Sequence, residues 1–160
     1  MRTSDRGFTL IELLIVIAII GILAALAIPN LLNAIQRGRQ KRTMSDMRAL
    51  AIAIEAYNVD NSSYPPAGCA NSSWTTAGTA VADTGFTALT PTYIAEPPRR
   101  DGWRNNFLYF VDNVRFEYNI RSLGRNGAAD SANCGTTTNF DDDIIYASGA
   151  FVQWPEGAQN

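Results

Sequence analysis

Glu12 is the residue whose position most needs a chemical explanation. It lies in a run of 21 residues, Phe8 to Ile28, in which the only other polar side chain is Thr9, and Leu13 to Ile28 is apolar without a break. A carboxylate at depth in hydrocarbon is costly, so such a residue normally has a partner and a task. No lysine or arginine lies on this segment. The cation that could reach Glu12 there is an amino terminus, which would exist if the chain were cut just before Phe8. Phe8 precedes Glu12 by four residues, about one helical turn, so the amine of the same subunit or of a neighbour packed alongside could meet the carboxylate.

Other chemistry is thinly represented. The chain has 160 residues, 13 basic and 15 acidic side chains, two cysteines and no histidine. Without histidine there is no Ser/His/Asp or Cys/His triad and no imidazole-ligated zinc. Nor does the sequence contain a phosphate-binding glycine loop, a metal-ligand cysteine pair or a base beside a serine or cysteine. These absences disfavour an enzyme. A net charge of -2 supplies no polybasic surface, so no nucleic-acid partner is predicted. The function classes left are a filament subunit, a secreted soluble binding protein and a membrane-anchored enzyme, with the first favoured.

The element that carries Glu12 is long enough to cross a bilayer. As a helix, 21 residues span roughly 30 Å, the thickness of the hydrocarbon core. A basic stretch follows, Arg37, Arg39, Lys41, Arg42 and Arg48, and then a head from Ala53 onward with 12 acidic and 6 basic residues, a local net of -6. Two other readings compete. Arg2 and Arg6 ahead of an apolar core, with Ala25-Leu26-Ala27 as a cleavage site, fit a secretory signal peptide, though the run is longer than the usual h-region and contains Glu12. A plain single-span anchor leaves Glu12 unexplained as well.

Past Pro29 the helical pattern resumes. Met44, Met47, Leu50/Ala51, Ile54 and Tyr57 recur every three or four residues, a stripe that buries against a sheet. Pro29 removes one backbone bond and Gly38 weakens the helix, so a kink or a locally melted stretch is expected over 29–38, the alternative being an intact, mildly bent helix. Asn58 to Pro66 ends it. Residues 67–98 read as a variable loop with one helical turn at Phe86 to Leu89. Strands are expected at Phe107–Val111, Val114–Arg121, Ile144–Ala147 and Phe151–Trp154. In the second of these Val114, Phe116, Tyr118 and Ile120 face the helix, and Arg115, Glu117, Asn119 and Arg121 face water. The expected fold is α+β, with the C-terminal half of a long N-terminal helix packed on a small antiparallel sheet.

Arg6-Gly7-Phe8-Thr9-Leu10-Ile11-Glu12-Leu13, the apolar run, and then Pro29-Asn30 resemble the leader and N-terminal segment of type IV pilins and pseudopilins. The resemblance implies a pilin-like fold and three parts. Residues 1–7 are a leader removed by prepilin peptidase between Gly7 and Phe8, 8–29 form a transmembrane and filament-core helix, and 30–160 hold the rest of the helix and a periplasmic or extracellular head. It also implies N-methylation of Phe8, and assembly into a homopolymer in which Glu12 pairs with the Phe8 amine of an adjacent subunit. The implied partners are minor pilins or pseudopilins, the inner-membrane assembly platform, the peptidase, and the inner membrane before assembly. The positive-inside rule points the other way, since two arginines precede the span and five basic residues follow it by residue 48. Leader processing and the two cysteines favour an exterior head.

A narrower resemblance, over residues 85–147, is to the major pseudopilin of type II secretion. Its blocks occur in order as Asp101-Gly102-Trp103, Asn106 and Tyr109, Ser122-Leu123-Gly124-Arg125-Asn126-Gly127, and Asp141-Asp142-Asp143-Ile144. The proline after Asp101 is absent, Asn126 replaces an aspartate, and an insertion rich in Asn and Thr separates the last two blocks. This resemblance implies a calcium site, with oxygens from Ser122, Asn126, Asp141 and Asp143 plus backbone carbonyls. The alternative is a solvated acidic loop. Cys69 and Cys134 would pair in an oxidising compartment, tying the loop after the helix to the insertion, unless both stay free thiols. A disulfide also resembles the major pilins of surface pili used in adhesion, motility or DNA uptake, so the cysteines pull toward pilin and the aspartates toward pseudopilin.

Overall fold

The computed structural model describes residues 7–65, 84–111, 117–130 and 135–156. The chain divides into two units, one ending at Ile35 and the other running from Gln36 onward. Cys69 and Cys134 lie outside the described residues, as do Val114, Arg115 and Phe116.

Helix α1 covers Leu10–Asn61, 52 residues, and is helical without interruption through Pro29 and Gly38. The expected melting over 29–38 is therefore not seen, and the intact helix is. Its start is set by Thr9. The Thr9 hydroxyl accepts from the Glu12 backbone N–H at 3.3 Å, and the Glu12 carboxylate accepts from the Thr9 backbone N–H at 2.9 Å and its hydroxyl at 2.7 Å. This T-x-x-E capping box satisfies donors that a helix N-terminus leaves open. In the first unit the apolar side chains face outward: Leu13, Ile17, Ile20, Leu23 and Leu26 are between 54 and 67% exposed. Among the described residues α1 is long and apolar enough to cross a membrane.

In the second unit α1 becomes one-sided. Gln40, Thr43, Met47, Leu50, Ala51, Ala53 and Ile54 are buried, at the spacing of a single helical face. Met47, Leu50 and Ile54 pack in one core with Phe86, Leu89, Phe107, Tyr109, Val111, Tyr118, Ile120 and Ile144. The helix stops where Ser62 turns to a φ of 53° and its N–H bonds the Asn58 carbonyl at 2.8 Å. The short helix α2 spans Thr84–Leu89.

Five strands follow: β1 Leu108–Val111, β2 Tyr118–Ser122, β3 Gly135–Thr137, β4 Ile144–Ala147 and β5 Ala150–Pro155. They lie side by side in the order β1-β2-β4-β5-β3. The first three pairings are antiparallel, but β3 runs parallel to β5, Gly135 opposite Gln153 and Thr137 opposite Pro155. The sheet is thus mixed, which corrects the antiparallel expectation. Strand β3 comes from the Asn- and Thr-rich insertion, where no apolar alternation announces a strand. The β4–β5 hairpin turns on Ser148 and Gly149, both at positive φ (42° and 97°), the conformation tight two-residue hairpins need.

Strand β2 departs from the expected alternation at one residue. Tyr118 and Ile120 are buried in the core as expected, but Arg121, assigned to water, is only 2% exposed. Its guanidinium is covered by the segment that leads into β4 and by Asp130, residues too far away in sequence for a local pattern to register.

Candidate functional site

The first candidate site is the start of the chain. Gly7 has no atom near where a side chain would project, and Phe8 is 81% exposed, so the bond between them is open to an enzyme. One turn further on, the Glu12 carboxylate is held by Thr9 through the capping box. Thr9 joins the site residues expected from the sequence, and its spacing of three from Glu12 is the capping signature that marks it. A cut before Phe8 would leave a primary amine one turn from a carboxylate fixed at a helix start. The exposed aliphatic face from Leu10 to Ile35 gives that terminus a surface that either lipid or other helices can cover.

The second candidate site lies where the turn after β2 meets the segment entering β4. It is built outward from Asp101, a buried carboxylate. One of its oxygens accepts from the backbone N–H groups of Trp103 (2.9 Å) and Asn105 (2.8 Å), and the other accepts from the Ser122 hydroxyl at 2.8 Å. Burial pushes the Asp101 carboxyl above its ordinary value, and the hydrogen bonds from Ser122, Asn105 and Trp103 pull against that shift. This loop is seated on α1. The Gly102 N–H donates to the Thr43 hydroxyl (2.9 Å), which donates in turn to the Arg39 carbonyl (2.9 Å), and the Trp103 indole donates to Gln36 at 2.6 Å. Asn105 then reaches the Gly124 carbonyl at 2.7 Å, linking the loop to the turn after β2. Asp101→Ala strips three donors of their acceptor. Charged acceptors contribute roughly 1.5–3 kcal/mol each when removed singly and add incompletely, so the expected loss is about 3 kcal/mol in denaturant unfolding.

The four side chains expected to share a calcium ion are each engaged with another group. Ser122 is bound to Asp101. Asn126 closes its own turn, its side-chain carbonyl accepting from the Ala128 N–H (2.9 Å) and its amide donating to Asp130 (3.4 Å). Asp141 is held in a two-pronged pair by Arg125, Nε and Nη2 each 2.7 Å from a carboxylate oxygen, and this pairing holds its carboxyl below the ordinary range. Asp143 is buried and paired with Arg121, whose Nε lies 2.5 Å from Oδ2, and it also accepts from the Asp130 N–H at 3.1 Å. Burial drives its carboxyl up and Arg121 opposes the shift. Among the described residues Asp143 Oδ1 is buried without a hydrogen-bond partner. No group of three acidic, cysteine or histidine side chains among the described residues could share an ion. Asp141 and Asp143 are not directed at one shared ion, because each faces a different arginine. Neither Arg121 nor Arg125 was expected at the site. Arg125 lies between Gly124 and Asn126, at a position to which the resemblance assigns no ligand.

Gly124 is what lets these segments touch. It has a φ of +62°, and a Cβ there would stand 2.4 Å from the Asp141 carbonyl oxygen and 2.7 Å from that of Asp142.

Residues 2–28 match the family profile described as the prokaryotic N-terminal methylation motif, and residues 30–139 match that of type II secretion system protein G. The type II secretion system core protein G of Klebsiella pneumoniae is 31% identical over 140 residues, which cover 79% of this chain and 89% of that one. Its counterpart in Dickeya chrysanthemi is 32% identical over 148 residues, 90% of this chain and 87% of its own. The protein of the same description in Klebsiella michiganensis is 47% identical over 64 residues, a match spanning 40% of this chain and 45% of that one.

Proposed function

Given that the chain belongs to the type II secretion system protein G family, we propose that it is the major pseudopilin of such a system, a structural subunit that polymerises into a pilus-like filament. The observation that carries this reading is the pairing of an exposed Gly7-Phe8 bond with a lone carboxylate at the start of an outward-facing aliphatic helix. The N-terminal methylation motif over residues 2–28 fits removal of residues 1–7 by prepilin peptidase and methylation of Phe8.

Before assembly the apolar part of α1 holds the subunit in the inner membrane, with the head in the periplasm. Assembly moves that helix out of lipid into a bundle of identical helices. Lipid and helix are equally apolar, so the transfer gains little from hydrophobicity, and close packing and polar pairs must supply the direction. Glu12 of one subunit against the Phe8 amine of the next supplies such a pair and fixes the axial step. Minor pseudopilins and the inner-membrane assembly platform are the further partners. The role is structural, and no residue acts on a substrate. The match to protein G favours the pseudopilus over a surface pilus for adhesion, motility or DNA uptake, toward which the cysteines alone would point.

Intact mass of the chain recovered from membranes tests the reading. The expected species begins at Phe8 and carries one added methyl group. A chain beginning at Ile28 would mean signal-peptidase cleavage and a secreted protein instead.

A further inference from the structure

The donor set at the β2–β4 junction does not fit the calcium ion that the resemblance implies. A calcium ion takes six to eight oxygens and tolerates no cation among them. Here Ser122 and Asn126 are bound to other groups, and the two aspartates are each neutralised by a guanidinium already in contact. Arg121 and Asp143 form their pair with side chains only 3% and 1% exposed, so a divalent ion entering there would meet a fixed positive charge in a poorly screened interior.

We propose that in this chain two arginine–aspartate pairs, Arg121 with Asp143 and Arg125 with Asp141, join β2 and its turn to the segment entering β4 in place of a divalent cation, so that the head folds without calcium. Both arginines lie on the β2 side, at the strand and in the turn after it, and both aspartates lie in the segment before β4. The pairs therefore cross the junction twice. The Arg121 guanidinium also donates to the Asp130 carbonyl, and Asp130 returns its own N–H to Asp143, so one arginine gathers the chain on both sides of the insertion. The Arg125 backbone N–H donates to the Phe140 carbonyl at 2.9 Å, and its guanidinium lies over the Phe140 ring with 6.0 Å to the centroid, which aims it at Asp141. With Gly124 allowing the Asp141 and Asp142 carbonyls to close on the turn, the two segments are already in contact before any ion could be placed between them. Among the side-chain oxygens of Ser122, Asn126, Asp141 and Asp143, Asp143 Oδ1 alone is without a hydrogen-bond partner, and a calcium ion needs several more.

Thermal unfolding of the full processed chain in detergent, with excess chelator and then with millimolar calcium chloride, tests this. The expected midpoint is the same in both. Arg121→Met leaves Asp143 buried and unpaired, and is expected to lower the midpoint by roughly 10 °C or more in either condition. Arg125→Ala, at a pair 43% and 31% exposed, is expected to lower it by a few degrees at most. A midpoint of the unaltered chain that rises with calcium overturns the proposal, and so does an Arg121→Met chain as stable as the original. Should Arg121→Met fail to fold, Arg121→Lys keeps the charge but loses the fork. It is then expected to fall between the two, again independently of calcium, and a calcium-dependent midpoint in that variant also counts against the proposal.

Discussion

A chain carrying Glu12→Ala is expected to insert into the inner membrane, to be cut after Gly7 and methylated, and to form no filaments. Insertion follows from the apolar run, which the substitution lengthens. Cleavage depends on an exposed bond outside the helix, which stays in place. Polymerisation is what fails, because the carboxylate is the one group on the segment able to meet a neighbouring amine. Glu12→Ala also removes the two bonds that the carboxylate accepts from Thr9, so fraying of the helix start is a second cause to separate from loss of the charge. Glu12→Gln separates the two causes. Glutamine can complete a capping box but carries no charge, and it should be as filament-deficient as alanine. Electron microscopy of sheared fractions, with immunoblots for processed subunit, reads both properties. Normal filaments from either variant would refute the pairing.

The second large effect is expected at Gly102. A Cβ there would lie 2.4 Å from the Arg39 carbonyl oxygen and 2.9 Å from that residue's carbonyl carbon and Cα. These are helix backbone atoms, which cannot rotate away as a side chain would. Gly102→Ala must lift the loop from α1, losing the bond to Thr43 and misplacing Trp103 from Gln36. Overpacking of this kind costs roughly 1–3 kcal/mol and the lost bonds add to it, so a total near 3 kcal/mol is expected in denaturant unfolding, with a matching fall in cellular level. Gly38→Ala is the control. A side chain there meets nothing within 4 Å, and alanine is the better helix former, so stability should hold or rise slightly. Equal stability of the two variants would refute the close approach at Gly102.

What could be read from the sequence follows from how local each signal is. The Met47, Leu50 and Ile54 stripe announces itself because helical burial repeats every three to four residues. Ile144–Ala147 and the strand after it are legible because two short apolar runs flank a Ser-Gly turn. Strand β3 is not, since Gly135–Thr137 has no apolar face and owes its place to pairing with the distant β5. Burial of Arg121 is illegible for the same reason: alternation tells which face of β2 a residue takes, not that a segment more than twenty residues away will cover that face. At the candidate sites Glu12 stood out as a carboxylate in a hydrocarbon run, whereas Asp101 looked like one more acidic loop residue until its donors were in view. The metal reading rested on a pattern of oxygens and had no means of weighing the arginine beside them.

The parallel strand β3 bears on a hazard particular to a protein that must polymerise. A subunit packed beside identical copies has two ways to join them, through its helix or through an edge of its sheet. Strand addition at an open edge needs no machinery and is hard to reverse. Residues Gly135–Thr137 occupy the outer edge of β5 over Gln153 to Pro155, with a strand of three residues that offers little length for another chain to extend. At the opposite edge β1 is only four residues long. Among the described residues both edge strands are short, which disfavours growth by strands and leaves growth by helices as the ordered route.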